Sequence, residues 1–149
     1  MITLMTPTLR DEMLLWQFRN DVAIRRELGW KAISYAECLD WASRMSDMLF
    51  LVHDDKLGDV GFVAFEDIGD DRLIMVGIGS VFRGKGYGKQ AIRLATENGI
   101  GKGKRLKANI RSENYKALFA FESAGYKEAL TVKDGPHEYF VFEYANAKI

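Results

Sequence analysis

At 149 residues, with 48% apolar and 28% charged residues, the chain is long enough to bury a core, and we expect one domain over residues 1–149. Its 21 Lys and Arg balance 21 Asp and Glu, which argues against nucleic-acid or membrane partners, and Met1–Pro7 has no leader pattern, which predicts a cytoplasmic protein. One cysteine, Cys38, excludes an intrachain disulfide, and two distant histidines, His53 and His137, indicate no metal.

The chain before residue 48 is predicted to be helical. Thr8 and Asp11 give a short N-cap signal, and Asp21 is expected to cap a short helix that runs through Leu28. Ser34 and Glu37 form a Ser-x-x-Glu capping box, and apolar residues at positions 39, 42 and 45 then recur at helical spacing.

From residue 48 the periodicity becomes that of strands alternating with helices. Strands are predicted over Met48–His53, Val60–Phe65, Leu73–Ile78, Leu106–Ile110, Tyr126–Val132 and Tyr139–Tyr144, and helices over Tyr87–Asn98 and Asn114–Ser123. A glycine-rich segment, Gly99–Gly103, should end the first of these helices. This order of elements indicates a mixed domain of the α+β or α/β class.

The most informative segment is the turn from Arg83 to Gly88, between a predicted strand and a predicted helix. Its glycines at 84, 86 and 88 permit backbone angles closed to other residues and let the main chain approach a ligand. The first N–H groups of the helix have no internal partners, so a diphosphate suits this position. Lys85 and Lys89, together with Arg83, would add compensating charge.

Three other interpretations compete for this turn. It can be an ordinary glycine-rich loop with solvated lysines. Gly79 to Lys85 has the spacing of a P-loop, but residue 86 is glycine where a hydroxyl should bind magnesium. The dinucleotide-binding fingerprint fails because the glycine spacing is G-x-G-x-G.

Two motifs in order resemble those of the GNAT acetyltransferases. Arg83-x-x-Gly86-x-Gly88 matches the coenzyme A motif of that family. About thirty residues downstream, Asn114-x-x-Ala117-x-x-x-Phe121-Glu122-x-x-Gly125-Tyr126 matches its Asn-x-x-Ala-x-x-x-Tyr-Glu-x-x-Gly-Phe segment. The order of predicted elements fits the family over nearly the whole chain.

The resemblance implies a fold and a cofactor site. The fold is a central, twisted, mostly antiparallel sheet of six to seven strands with flanking helices and a splayed strand pair at the cofactor. The cofactor is acetyl-coenzyme A, with no metal. The resemblance assigns its binding to Ile78, Gly79, Ser80 and Val81 at the splayed strand, to Arg83, Gly84, Lys85, Gly86, Tyr87, Gly88 and Lys89 in the turn, and to Asn114, Ala117 and Phe121 beyond it. Asn114 can equally be the N-cap of its helix.

Proton transfer is where the chain departs from the family pattern. Phe121 stands where many members have a tyrosine that protonates the departing thiolate, so packing along the cofactor is its expected role. No carboxylate lies in Leu73–Gly79, where the family often has a glutamate base. Glu66 is the nearest candidate base, although it can simply be a solvated strand end. Asn109 is a candidate for orienting a water or the substrate.

The acceptor is expected at the amino-terminal helices. Trp16, Arg19, Asn20 and Arg25 resemble a segment of the GNAT branch that acetylates ribosomal proteins and nucleotide-linked amino sugars. Aromatic stacking and guanidinium–phosphate pairing would suit such an acceptor, whereas core packing and surface charge are the structural alternatives. Cys38, where the amino-sugar enzymes often have histidine, is expected to be a small buried hydrophobe.

The sequence therefore predicts an N-acetyltransferase that uses acetyl-coenzyme A and acts by direct attack in a ternary complex. Its acceptor would be a primary amine on a small molecule or a protein N-terminus, and the chain would be a monomer or homodimer. The alternatives are a coenzyme A-binding regulatory module without catalysis and an enzyme that uses nucleotide phosphates.

Overall fold

A seven-stranded sheet organises the chain, in a computed structural model that describes residues 1–99 and 103–144. The strand order is β1-β2-β3-β4-β5-β7-β6, and every neighbouring pair is antiparallel except β4 and β5. The strands are β1 Ile2–Met5, β2 Leu49–Asp54, β3 Gly58–Ile68, β4 Asp71–Ile78, β5 Arg105–Arg111, β6 Tyr126–Asp134 and β7 His137–Tyr144. The predicted α+β class and the mostly antiparallel sheet are confirmed.

Five helices flank the sheet in the described ranges. They are α1 Glu12–Arg19, α2 Val22–Leu28, α3 Tyr35–Met45, α4 Tyr87–Gly99 and α5 Tyr115–Ser123. A 3₁₀ turn, Ser80–Phe82, separates β4 from the segment that leads into α4. None of the helices described here is long and apolar enough to cross a bilayer.

The capping residues act as the sequence predicts. The Asp21 carboxylate accepts hydrogen bonds from the N–H groups of Ala23 and Ile24 at 2.9 and 3.1 Å. Ser34 and Glu37 form the reciprocal capping box, with N–H to side-chain distances of 2.7 and 3.1 Å. These bonds satisfy backbone donors that have no partner inside the helix, and they fix where α2 and α3 begin.

The two faces of the sheet are covered by different helices. Alternate residues of β3 point to opposite faces, so Phe62 packs with α1–α3 while Val63 and Phe65 pack with α4 and α5. Cys38 lies fully buried among the first set, as expected for a small hydrophobe. Gly77 lets α2 approach β4 closely, since a Cβ there would lie 2.9 Å from the Ile24 side chain.

The parallel pair is much shorter than its two strands. β4 and β5 pair only where Asp71–Leu73 meets Arg105–Lys107, and the remainder of the two strands is unpaired with one another. The strands therefore diverge toward their carboxyl ends. This is the splayed pair that the resemblance implies.

The structure differs from the sequence prediction in one strand and in the ends of several others. No strand was predicted before residue 48, yet β1 pairs with β2 along its whole length, because four edge-strand residues carry too little pattern to be recognised. β3 runs from Gly58 to Ile68, beyond the predicted Val60–Phe65, because Gly58-Asp59 and Glu66-Asp67 at its ends interrupt the apolar pattern. Of the predicted segment Gly99–Gly103, residues 100–102 lie outside the described residues.

Candidate active site

A cleft of about 410 Å³ opens where β4 and β5 separate. Its walls come from Ile74, Val76 and Ile78 on β4 and from Ala108–Ile110 on β5. The start of α4 closes one end, α5 covers one side, and Glu27 and Leu28 of α2 contribute another edge. The cleft thus follows directly from the short parallel pairing.

Free backbone donors lie at the α4 end of this cleft. Gly84 and Gly86 have φ values of +79° and +83°, which reverse the chain and direct it into the helix. In the described structure no protein acceptor bonds to the N–H groups of residues 84–89, and the first loop-to-helix bond is Gln90 N to Gly86 O at 3.2 Å. A row of such donors at a helix N-terminus is suited to an anion.

Arg83 has a different environment from the lysines of the turn. Its guanidinium forms a bidentate pair with Glu27, at 2.7 and 2.8 Å, and its Nε donates to Ile78 O at 2.9 Å. The hydrogen-bonded Glu27 carboxylate raises the pKa of Arg83. Lys85 and Lys89 are exposed and form no salt bridge within the described residues, so they carry the available positive charge here.

The strand end Ile78–Val81 is already partly engaged by the protein. Gly79 N donates to Val60 O at 2.9 Å. Ser80 donates to the Asp21 carboxylate through both its N–H and its hydroxyl, at 2.8 Å each. Val81 is 81% exposed, and only Ile78 of the four lines the cleft. Free N–H groups are therefore concentrated in residues 84–89.

The first residues of α5 form the opposite wall. Asn114 is the N-cap of this helix, and its Oδ1 accepts from Ala117 N at 3.3 Å. Asn114, Ala117 and Phe121 all line the cleft, as do Tyr87 and Gly88 at the start of α4. The two motifs of the sequence, the Arg83–Gly88 turn and the Asn114–Tyr126 segment, thus meet around one cavity.

A family model described as an acetyltransferase (GNAT) domain matches residues 2–127. The chain belongs to the GNAT N-acetyltransferase family. Mycothiol acetyltransferase of Corynebacterium efficiens is 30% identical over 132 residues, which are 83% of this chain but 44% of that protein. This chain therefore spans less than half the length of that relative.

Solved structures show the same GNAT fold. Spermidine N-acetyltransferase from Vibrio cholerae, in complex with CoA and spermine, superposes with a TM-score of 0.84 at 16% identity, over 98% of this chain and 97% of that one. A ribosomal-protein-alanine N-acetyltransferase from Brucella melitensis gives a TM-score of 0.76 at 18% identity, over 96% and 98%. These proteins are named for different acceptors, so they identify the family and not a branch of it.

Few titratable groups reach the GNAT cleft. Glu27 is the only carboxylate among the described residues that line it, and Arg83 neutralises its charge. Glu66 is exposed and does not line the cleft, whereas Asn109 does. The Phe121 ring packs edge-on against Tyr126 at 5.1 Å. The Tyr126 hydroxyl bonds to Thr96 at 2.8 Å, burial raises the pKa of Tyr126, and its side chain does not line the cleft.

All four predicted acceptor residues make contacts within the protein, and for Trp16, Arg19 and Asn20 these contacts join α1 to residues 30–41. Trp16 Nε1 donates to Ile33 O at 2.9 Å, and the Asn20 amide bonds both backbone groups of Ile33, at 3.0 and 2.8 Å. The Arg19 guanidinium lies 4.0 Å from the Trp30 ring and 4.7 Å from the Trp41 ring. None of the three lines the cleft; they hold the α1–α3 layer together. Arg25 lines a second cavity.

Several residues that line the cleft were not predicted as site residues, and four of them bear on ligand binding. Glu27 and Leu28 reach the site only through the packing of α2 against the sheet, for which the sequence gives no signal. Lys116 and Phe119 occupy variable positions of the α5 motif. The Phe119 side chain is 64% exposed and lies 5.4 Å from the Lys89 ammonium. The sequence does show a large apolar residue, Phe119, inside the Asn114–Tyr126 motif, and this could have marked it as a candidate ligand contact.

Proposed function

We propose that this chain is a single-domain N-acetyltransferase over residues 1–149 that transfers acetyl from acetyl-coenzyme A to a primary amine within a ternary complex. The observation that carries the proposal is the combination of a splayed β4–β5 cleft with a row of free N–H groups at its α4 end. The family match supports the same conclusion.

The residues present fit a coenzyme A molecule. The N–H groups of residues 84–89, with Lys85 and Lys89, would hold the diphosphate. The Asn114–Phe121 face of α5 and the diverging strands would contact the pantetheine arm. When bound, acetyl-coenzyme A supplies the thioester whose C–S bond breaks as the C–N bond to the amine forms.

The amine must lose its proton before it can attack. Glu27 is neutralised by Arg83, and no histidine lines the described part of the cleft. We therefore propose that water accepts the proton and that the Asn109 side chain orients that water. Phe121 supplies an apolar wall, and solvent returns a proton to the leaving thiolate.

The acceptor is proposed to be an amine on a small molecule or at a protein N-terminus. Relatives named for spermidine and for ribosomal-protein alanine support an amine acceptor in general. A thiol-release assay over a panel of amines, combined with a titration of acetyl-coenzyme A, tests the proposal. Tight binding with no turnover on any amine would favour the alternative, a coenzyme A-binding regulatory module.

The pH profile tests the proton route. Without a protein base, kcat/KM should rise about tenfold per pH unit until the acceptor's own ammonium group has titrated. Asn109→Ala should lower kcat by about tenfold or more and leave acetyl-coenzyme A affinity unchanged. Glu66→Gln is the matched comparison, since Glu66 lies outside the cleft. A plateau near neutral pH that Glu66→Gln abolishes would contradict the water route.

A further inference from the structure

A second cavity, of about 270 Å³, lies beside the cleft and is lined by arginines. Its walls are Val22, Arg25, Arg26, Gly29 and Trp30 from α2 and the segment after it, and Arg111 from the end of β5. We call it the arginine cavity. Three of its six lining residues carry a permanent positive charge, and no carboxylate lines it within the described chain.

The charge of these arginines is poorly compensated. Among residues 1–99 and 103–144, no acidic group lies within 4.0 Å of Arg25 or Arg26, and the Arg25 Nε donates only to a backbone carbonyl, Asn20 O, at 3.3 Å. Arg111 has one long ion pair within the described residues, 3.8 Å to the exposed Glu113, and its guanidinium lies 5.9 Å from the Tyr139 ring. In that same part of the chain its buried Nε has no hydrogen-bond partner. The chain has a formal net charge of zero, so this concentration of positive charge is a local feature of the cavity.

A fourth guanidinium lies beneath the cavity. Arg19 stacks on Trp30, which is itself part of the cavity wall. The Nε and Nη1 of Arg19 are buried and have no hydrogen-bond partner among the residues that the structure describes, and burial lowers the pKa of Arg19. Since a guanidinium keeps its charge in proteins, Arg19 adds to the positive potential from below.

The arginine cavity continues the cleft. Leu28 lines the cleft and its neighbour Gly29 lines the cavity. On β5, Asn109 and Arg111 are two residues apart, so their side chains leave the same face about 7 Å from each other. A molecule that holds an anion at Arg111 can therefore place an amine near Asn109 if a few atoms separate the two groups.

We propose that the arginine cavity binds an anionic group of the acceptor, a carboxylate or a phosphate, so that the substrate class is an amine carrying a negative charge. This rests on the proposed function. Polyamines, which are polycations, are excluded by the same charges.

Matched amine pairs test this inference. The first pair is O-phosphoethanolamine and ethanolamine, and the second is 4-aminobutyrate and butylamine; together they separate phosphate from carboxylate. For the wild-type chain, kcat/KM for the anionic member of at least one pair should exceed that of its neutral partner by about ten- to a hundredfold. Arg111→Gln and Arg26→Gln should each reduce that ratio by about tenfold.

Arg10→Gln is the control, since Arg10 is exposed and lines neither cavity, and it should leave the ratio unchanged. Arg26 is also exposed, which keeps the test open if Arg111→Gln fails to fold. Equal kcat/KM for both members of each pair, or preference for spermidine, would overturn the inference and leave the acetyltransferase proposal intact.

Failure of the acetyltransferase proposal would give a different result from failure of the arginine-cavity proposal. If acetyl-coenzyme A binds but no amine is acetylated, calorimetric titration of the coenzyme A-loaded chain with O-phosphoethanolamine and 4-aminobutyrate decides the matter. Binding of either that is weakened by Arg26→Gln but not by Arg10→Gln supports the cavity. Absence of binding by both overturns it.

Discussion

Gly86 and Arg83 belong to one sequence motif but serve it in different ways. Gly86 has a φ of +83° and lies at the edge of the cleft, with only the Gln90 side chain near its Cβ position, at 3.9 Å. Arg83 instead anchors the turn to α2 through Glu27. Within the motif, Gly86 therefore permits the backbone angle of the turn, and Arg83 fixes the position of the turn relative to α2.

Gly86→Val should weaken acetyl-coenzyme A binding by about tenfold or more, because the new side chain occupies the approach to the free N–H groups. The strained φ should also cost about 1–3 kcal/mol in the free energy of unfolding. Gly58→Val is the control, since Gly58 has a φ of +81° with nothing near its Cβ position and does not line the cleft. Equal loss of affinity in both folded variants would contradict this role.

Phe121→Tyr tests whether a proton donor is missing. Thiols with a pKa near 8.5 leave readily as thiolates, so the added hydroxyl should change kcat by less than about threefold. Steady-state rates at saturating amine measure this directly. An increase of about tenfold or more would show instead that protonation of the thiolate limits the wild-type rate.

Most residues predicted to bind the cofactor line the cleft, whereas those predicted to bind the acceptor do not. Gly86 and Asn114 belong to local motifs in which spacing and chemistry coincide. Trp16 and Asn20 also form a motif-like segment, but their polar atoms bond the backbone of Ile33 thirteen or more residues away. Arg111 carried no signal, because only the sheet brings it to α2.

At the scale of elements, α2 is the link between the two halves of the site. Its N-cap, Asp21, accepts bonds from its own helix and also from Ser80, in the 3₁₀ turn after β4. Near its other end Glu27 holds Arg83. One seven-residue helix thus fixes both ends of the segment that leads into the turn.

The hydrogen bonds that the Asp21 carboxylate accepts should make the free energy of unfolding depend on pH. Burial favours the neutral acid, but the bonds from Ser80, Ile24 and Ala23 outweigh it and lower the pKa of Asp21 below 3.8. Its contribution is therefore full above the unfolded-state pKa and is lost as pH falls through the lower folded-state value. Asp21→Asn should flatten the fall in the free energy of unfolding below about pH 4, measured by urea titration. Asp55→Asn, at an exposed turn, should not flatten it.

The starts of helices were predicted correctly where a capping side chain marks the first turn. Asp21, Ser34 and Asn114 each begin a helix as predicted, because capping is a local hydrogen-bonding property. β1 was missed because its structure depends on β2, some fifty residues away. Long-range pairing of a short segment leaves no periodic pattern to detect.

At the scale of the whole molecule, the sheet consists of two antiparallel blocks. β1–β4 form one and β5–β7 the other, joined by three residue pairs of the parallel contact. Apolar residues of both blocks pack with α4 and α5 in one cluster. The cleft is the gap between the blocks, so a ligand in it contacts both.

Coenzyme A should therefore stabilise the entire chain. At a concentration of 100 times Kd it should add about 2.7 kcal/mol and raise Tm by about 5–10 °C. Hydrogen exchange should slow most at the amides of residues 84–89, which have no protein acceptor. A rise in Tm without that local protection would place the ligand elsewhere.

The three-pair parallel contact also bears on how the chain folds and unfolds. The β2–β3, β3–β4 and β6–β7 hairpins join strands close in sequence, whereas β4 and β5 can meet only after α4 has crossed over between them. We expect this junction to form late, after the folding barrier, so contacts that bridge it would have low φ-values. Coenzyme A bound across this junction would then slow unfolding and leave the refolding rate nearly unchanged. The bound cofactor would therefore increase the kinetic stability of the fold.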